Sequence, residues 1–474
     1  MPDKRLDTHH KALGINQDPA RYGTFAEIGA GQETARWFFH VGGASATVAK
    51  TMSAYDMAVS DAVYGPVQRY VSRQRLQSML DYEYELLRTR LEATRGGRTA
   101  FFVFADTVTT GAQGRSRSGH GWLGIRYQPW PGAEPCQIII HARMWDSLHL
   151  RQREALGILG VNLIHAAFYL GERSHEIVSV LMDDLTRDRM EVDMIEFSGP
   201  LFAGIDNRLI SLDLVQKRLT NAVVFPSAGG VVEPSELLYQ KPVLIERGRF
   251  RPVTRISLDL LEAARRQMRE EQGREASEPV SLMELTLRSL SAGGEVIDHR
   301  DFLARVDTLR ILGRTVMVSN YSRYHTMVGY LRRYTARRVA LVLGVPTLSQ
   351  VLDEKHYQDV DGGLLEALGR IFQGDVRLYI YPWRNPATGE LVTADNFDAG
   401  PRHRHLYAHL RSNDFIIPLC GFHLGDQPVL PGEVLRWIQQ GNPAWESAVP
   451  EPVVAEIKSK RLFGYPGDAG NESA

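Results

Sequence analysis

The sequence is poor in cysteine, lysine and net charge, and it has no long hydrophobic run. Its 474 residues include two cysteines, Cys136 and Cys420. Neither lies in a C-x-x-C pair or at a zinc-ligand spacing from histidine, which excludes a disulfide frame and a structural zinc finger. Lys+Arg total 55 and Asp+Glu 56, a net charge of −1. No overall field draws the chain to nucleic acid or an anionic membrane, so nucleic acid is not an expected partner. Lysine supplies eight of the 55 basic residues, with none between Lys50 and Lys217. The rest is arginine, the better holder of flat bidentate oxyanions. The most apolar run, 155–170, carries Asn162 and His165 and is too short to span a bilayer. Met1 to Pro19 has no apolar signal core. No membrane partner is expected, and the cytoplasm is the expected compartment.

Hydrophobic residues at 43% and charged residues at 23% are the proportions of an ordinary globular protein. Turn signals and periodicity predict an α/β protein in two main parts. A polar lead-in runs over 1–20, a mixed α/β part over 21–205, a Rossmann-like α/β part over 206–463, and a flexible polar tail over 464–474. In the first part, Thr34 to His40 and Pro66 to Thr94 read as helices, the second ended by Gly96-Gly97. TAFFVFA at 99–105 reads as a buried strand ending at Asp106-Thr107, with a glycine-rich loop over 111–121. QIIIHA and RMEVDMIEF read as further strands. In the second part, strands near 221–226, 241–246, 314–319, 338–343 and 375–381 alternate with helices, as in a helix-covered parallel sheet.

Phe25 to Glu33 (FAEIGAGQE) has the form of a strand, a glycine turn and a helix. Such turns let backbone amides approach a phosphate or ribose, which makes Glu27, Gly29 and Gly31 candidate cofactor-binding positions. Thr34 replaces the third glycine, and a tight turn that only caps the next helix competes with that reading. Lys50 stands in a small-residue stretch without a Walker A pattern and is a candidate phosphate contact. Asp56 and Asp61 are candidate magnesium ligands, or else helix caps and solvated acids.

Asp106, His120 and Arg126 are the candidate catalytic residues. An acid at the end of a buried strand, a histidine between two glycines and an arginine on the next strand are parts of an acid–base and oxyanion site. The competing reading is an ordinary loop. Asp183, Asp184, Asp188, Glu191, Asp193 and Glu196 form an acidic run. Glu191 and Asp193 share a strand face as an acid–base or metal pair would, or are neutralised by the interleaved Arg187 and Arg189. In the second part, Asn320 follows a buried strand, where ligand loops of parallel sheets sit. Phe225 to Gly230 would line the same crevice. His403 and His405 alternate as a chelate on a strand face would, or as solvated surface.

The runs YGTFAEIGAGQE (22–33) and SAYDM (53–57), with VDMI (192–195), FSGP (197–200) and VEPSELLY (232–239), resemble an uncharacterised bacterial family over most of the chain. That family is often labelled nicotinamide or nicotinate mononucleotide adenylyltransferase-like. The resemblance implies nucleotide chemistry, with adenylyl transfer from ATP and Mg2+. The enzyme class uses an HxGH-type motif, and Gly119-His120-Gly121-Trp122 has another form, so no catalytic residue carries over. The expectation is an enzyme acting on a nucleotide or other phosphorylated metabolite, its partner a small phosphorylated substrate. The alternative is a non-enzymatic ligand sensor or assembly protein using the same crevice. A homo-oligomer stays open.

Overall fold

The computed structural model describes residues 6–111, 119–273, 277–291, 294, 296–423 and 431–467. The chain forms two compact units, Met1–Asn221 and Ala222–Ala474. Most of the glycine- and arginine-rich loop before His120, and the end of the tail, fall outside the described residues.

The first unit runs α1 (Thr8–Asn16), β1 (Arg21–Ile28), α2 (Glu33–His40), β2 (Val48–Met52), α3 (Met57–Tyr64), α4 (Arg73–Arg95), β3 (Ala100–Thr109), β4 (Gly119–Tyr127), β5 (Cys136–Met144), α5 (His149–Tyr169), α6 (Ser174–Val180), β6 (Met190–Ser198) and α7 (Asn207–Gln216). Its sheet has the order β2-β1-β3-β4-β5-β6. β1 pairs in parallel with β2 and β3, and the remaining pairs are antiparallel. One face is built from aromatic rings: Phe25 stacks on Phe38 of α2 at 4.9 Å and edges onto Phe102 at 5.7 Å. α5 closes over that face so tightly that a Cβ at Gly160 would lie 2.3 Å from the Thr34 hydroxyl. α4 covers the other face, where Leu76 and Leu80 reach Gly124.

Several expectations shift here. The lead-in contains α1, tied down by the buried Lys11, whose Nζ donates to Asp183 at 2.6 Å and Asn162 at 2.8 Å. α4 starts at Arg73 rather than Pro66, because the Ser72 hydroxyl caps it by accepting from the Arg75 amide. β3 continues to Thr109 and β4 begins at Gly119, which puts Asp106 and His120 inside strands rather than in a loop. α7 packs on β6, so the first unit extends past 205 to Asn221.

The second unit runs β7 (Ala222–Phe225), α8 (Pro234–Leu238), β8 (Val243–Arg247), α9 (Arg255–Gln272), β9 (Val280–Thr286), α10 (Leu287–Leu290), α11 (His299–Ile311), β10 (Thr315–Ser319), α12 (Tyr324–Leu331), β11 (Val339–Gly344), α13 (Val345–Val351), α14 (Gly363–Ile371) and β12 (Val376–Tyr381), then a two-stranded ribbon β13 (Trp383–Arg384) and β14 (Leu391–Val392), α15 (Gly400–Ser412) and β15 (Ile416–Pro418). The sheet order is β15-β12-β11-β8-β9-β10-β7, parallel except for β7. From β8 the chain winds one way through β9 and β10, then returns to the other side for β11, β12 and β15. This is the doubly wound Rossmann order, with its switch point between β8 and β11. The Rossmann-like expectation for this part is therefore met.

β7 runs antiparallel, pairing Val316 with Phe225 and Ser319 with Ala222. Phe225 to Gly230 therefore leaves at the amino end of β10, away from Asn320, and does not line the same crevice. His403 and His405 lie on α15, where residues two apart point away from each other. Among the described residues, no helix is long and apolar enough to cross a membrane.

Candidate functional site

The sequence-predicted residues of the first unit separate onto the two faces of its sheet. The β1–β3 register sets Glu27 beside Asp106, both on the face toward α2 and α5. Both side chains are fully buried. The Glu27 carboxyl accepts the amides of Thr34 at 2.9 Å and Ala35 at 3.0 Å, at the start of α2. Asp106 Oδ1 accepts the Ile28 amide at 3.2 Å. Burial pushes Glu27 up to about 7 against the pull of those two amides. Burial, then the neighbouring Glu27 charge, pushes Asp106 well above the usual carboxylate range. Two such groups side by side share a proton, which also satisfies Asp106 Oδ2.

This pair decides what the glycine turn can do. The helix-start amides that would meet a phosphate are already held by the Glu27 carboxyl. Gly29 and Gly31 are needed for shape. At Gly29, with φ +102°, a Cβ would fall 1.8 Å from the Val108 carbonyl oxygen. At Gly31, with φ +85°, it would meet the Arg153 guanidinium at 2.5 Å. Geometry thus selects the helix-capping reading of Glu27, Gly29 and Gly31 over the cofactor-binding one.

Lys50 and the two aspartates are engaged as well. Lys50 lies on β2 with Nζ 2.5 Å from the buried Glu83, which also accepts from the Tyr64 hydroxyl at 2.9 Å. Asp56 caps α3 by accepting the Val59 amide at 3.1 Å. Asp61 accepts from Arg75 at 2.7 Å and from the Tyr70 hydroxyl at 2.8 Å. These carboxylates do not fit a magnesium site, since each already serves as a cap or an ion-pair partner. Arg126 ion-pairs with Asp81 at 2.6 Å and lies over the Tyr84 ring at 5.2 Å. It shares a face with His120 but stands six residues along the same strand, about 20 Å away. Asp106, His120 and Arg126 therefore do not converge.

His120 has different company. Its Nδ1 lies 3.1 Å from His141 Nε2 on β5, and His141 Nδ1 lies 2.5 Å from Asp193 Oδ1 on β6. Asp193 Oδ2 accepts from Arg143 Nε at 2.7 Å. Trp122 packs on the His141 ring at 4.9 Å. The β4–β5 register puts His120 opposite Arg143 and Trp122 opposite His141. An irregularity in the β5–β6 pairing after His141 brings Asp193 onto the same face. His141 and Asp193 are buried and His120 is half-buried. Burial alone would raise Asp193, but His141 and Arg143 outweigh it and hold the carboxyl down at about 2. The arrangement is a carboxylate, a buried imidazole and an outer imidazole in series.

Sequence reasoning found His120, and placed Asp193 in an acidic run, but it missed His141 and Arg143. The available signal was His141 itself, a polar residue directly after the apolar run Ile138 to Ile140. Three members of the acidic run have cations, though neither Arg187 nor Arg189 supplies them. Asp193 pairs with Arg143, Glu196 with Arg73 and Asp183 with Lys11.

In the second unit, Asn320 follows β10 at the carboxyl end of the parallel sheet, as expected. Beside it Ser319 donates to the fully buried Glu284 at 2.5 Å. Glu284 in turn takes a bidentate Arg247 at 2.7 and 2.9 Å, and Arg247 lies over the Tyr324 ring at 4.6 Å. Glu246, next along β8, is buried and pushed up to about 8 by that burial, against Ser257 and Arg314.

No family model matches the chain, and no curated protein matches it. Solved structures give partial likenesses. The competence/damage inducible protein CihA from Agrobacterium tumefaciens is 19% identical over 35% of this chain and 98% of its own, with a TM-score of 0.25. A competence-damaged protein (CinA) superfamily member from Klebsiella pneumoniae is 14% identical over 34% and 98%, with a TM-score of 0.26. Another from Enterobacter cloacae is 12% identical over 35% and 96%, also at 0.26. At these scores the likenesses have no bearing on function.

Proposed function

We propose that this chain is an enzyme acting on a nucleotide or other phosphorylated metabolite, with His120 as its general acid–base group. One observation carries the reading: the unbroken series Asp193, His141, His120 at 2.5 and 3.1 Å. Asp193 stays ionised across the working pH range and accepts a hydrogen bond from His141 Nδ1–H, which leaves the His141 Nε2 lone pair toward His120. His120 then donates its Nδ1 proton to His141 and takes up the substrate proton at Nε2. The positive charge that develops is stabilised through His141 by the buried carboxylate, as in other triads that orient an imidazole. This tautomer assignment follows from the hydrogen-bond network. The phosphorylated class is supported by the glycine- and arginine-rich segment that leads into β4, and by Arg143 beside Asp193. Adenylyl transfer to a pyridine mononucleotide is the finer reading and rests on the family resemblance. Asp56 and Asp61 do not support its magnesium, and no step is assigned to the ion.

The test starts with a thermal-shift screen of the full chain against nucleotides, dinucleotides and sugar phosphates, with and without Mg2+. Ligand at a hundred times its Kd adds about 2.7 kcal/mol, a visible shift. Turnover of the hits is then followed by product release. His120→Gln should lower kcat by about 10²–10⁴ while the shift with ligand persists. A His120→Gln protein that turns over normally sinks the acid–base assignment. Ligand shifts without any turnover would move the chain to the sensor class.

A further inference from the structure

The loop after β8 and the helix α11 bring two arginines onto one carboxylate, with a third arginine in the same loop, at the carboxyl ends of β8 and β9. Arg305, on α11, is 1% exposed. Its Nη1 donates to the backbone carbonyls of Arg249 at 3.2 Å and Ser289 at 3.0 Å. Its Nη2 pairs with Asp301 Oδ2 at 2.5 Å, while its buried Nε has no hydrogen-bond partner. Arg251 reaches the other oxygen of Asp301 at 2.6 Å and is one-third exposed. Arg249, two residues back, is exposed and has no acidic partner among the described residues. Buried Phe250 anchors the loop between them. Burial and the charges of Arg251 and Arg249 all work against the Arg305 cation, with Asp301 alone in opposition.

A tie between α11 and the loop would need one guanidinium for one carboxylate. Here two guanidiniums, those of Arg251 and Arg305, share the single charge of Asp301, and the charge of Arg249 adds to theirs at Arg305, so positive charge is in excess. That excess matches a phosphate monoester dianion, the anion for which clustered arginines are best suited. Its place also matters. β8 is the first strand of the doubly wound order, and ligands of such sheets bind outside the carboxyl ends beside the switch point. A net charge of −1 supplies no wider field. A small phosphorylated molecule suits it better than a nucleic-acid backbone.

We propose that Arg249 and Arg251, with the buried charge of Arg305 behind them, form a phosphate-binding site in the second unit, for the terminal phosphate of a nucleotide or other phosphorylated metabolite. The site stands on this unit alone and does not depend on His120. The experiment is calorimetric titration of the full chain with inorganic pyrophosphate, ADP, adenosine and a single-stranded oligonucleotide lacking terminal phosphates. The titrations are repeated with Arg249→Gln, Arg251→Gln and, as a control on a helix of the other unit, the exposed Arg90→Gln. Pyrophosphate and ADP should bind, with Kd raised roughly tenfold or more in each loop variant and unchanged in the control. Melting temperatures are measured alongside; exposed Arg249→Gln should melt with the wild type, and Arg251→Gln should stay folded because Asp301 keeps Arg305. The proposal is overturned by no pyrophosphate binding up to about 10 mM. It is equally overturned if neither loop variant weakens binding, if adenosine binds as well as ADP, or if the oligonucleotide binds as tightly as pyrophosphate.

Discussion

Replacing Asp106 with asparagine should make the first unit less sensitive to alkali. In the folded chain Glu27 and Asp106 lie side by side, fully buried, and hold one proton between them. Glu27 stays protonated up to about 7, against an ordinary value of 4.5. Between those limits the folded state keeps a proton that the unfolded state has released. Stability is therefore fully present below about pH 4.5 and falls as pH rises through 7. At about 1.4 kcal/mol per pH unit, the loss amounts to about 3 kcal/mol. Asp106→Asn supplies the missing donor permanently, because its amide faces the Glu27 carboxylate while its carbonyl still accepts the Ile28 amide. The measurement is urea unfolding at pH 5.5, 7 and 8.5, wild type against variant, read on the transition of the first unit. Wild type should lose about 2 kcal/mol across that range, because part of the loss already lies below pH 5.5, and the variant less. Parallel pH slopes for the two proteins would refute the shared proton.

Lys50→Met should cost about 3 kcal/mol of stability by leaving Glu83 buried without its cation, and should leave ligand affinity unchanged. Lost affinity at unchanged stability would restore the phosphate role. Gly29→Ala should destabilise by about 3 kcal/mol or more, since both the positive φ and the Val108 carbonyl oppose a Cβ. A melting temperature within a degree or so of wild type would contradict the close approach. Asp193→Asn should lower kcat by about 10²–10⁴ with little change in KM and should alter the pH profile, because His141 loses the acceptor that fixes its tautomer. A proportional loss of folded protein with a normal pH profile would mark Asp193 as structural only.

The parallel sheet of the second unit was legible in the sequence because strands buried on both faces are nearly continuous apolar runs. β9 escaped because Glu284 interrupts its pattern, and that glutamate is affordable only through Arg247 and Ser319, which lie far away in the sequence. In the first unit, Asp106-Thr107 looked like a strand end because both residues are polar. They continue the strand because Glu27 partners Asp106 and the Tyr70 carbonyl accepts from Thr107 at 2.6 Å. His120 stood out locally between its glycines. Its partners His141 and Asp193 come from two other strands, and only the register of β4, β5 and β6 brings them into line. Local spacing reveals groups that act within one element, and the relay spans three.

The glutamate at the head of α2 has a further consequence. A helix start whose amides are held by the chain's own carboxyl group behaves as a socket already plugged by part of its own wall. The plug cannot diffuse away, so its effective concentration exceeds that of any free phosphate in a cell, and mass action alone will not displace it. Any route from this glycine turn to a cofactor site would have to begin with the loss of Glu27. Asp106 would then lose the neighbour with which it shares its proton, and two positions would have to change together.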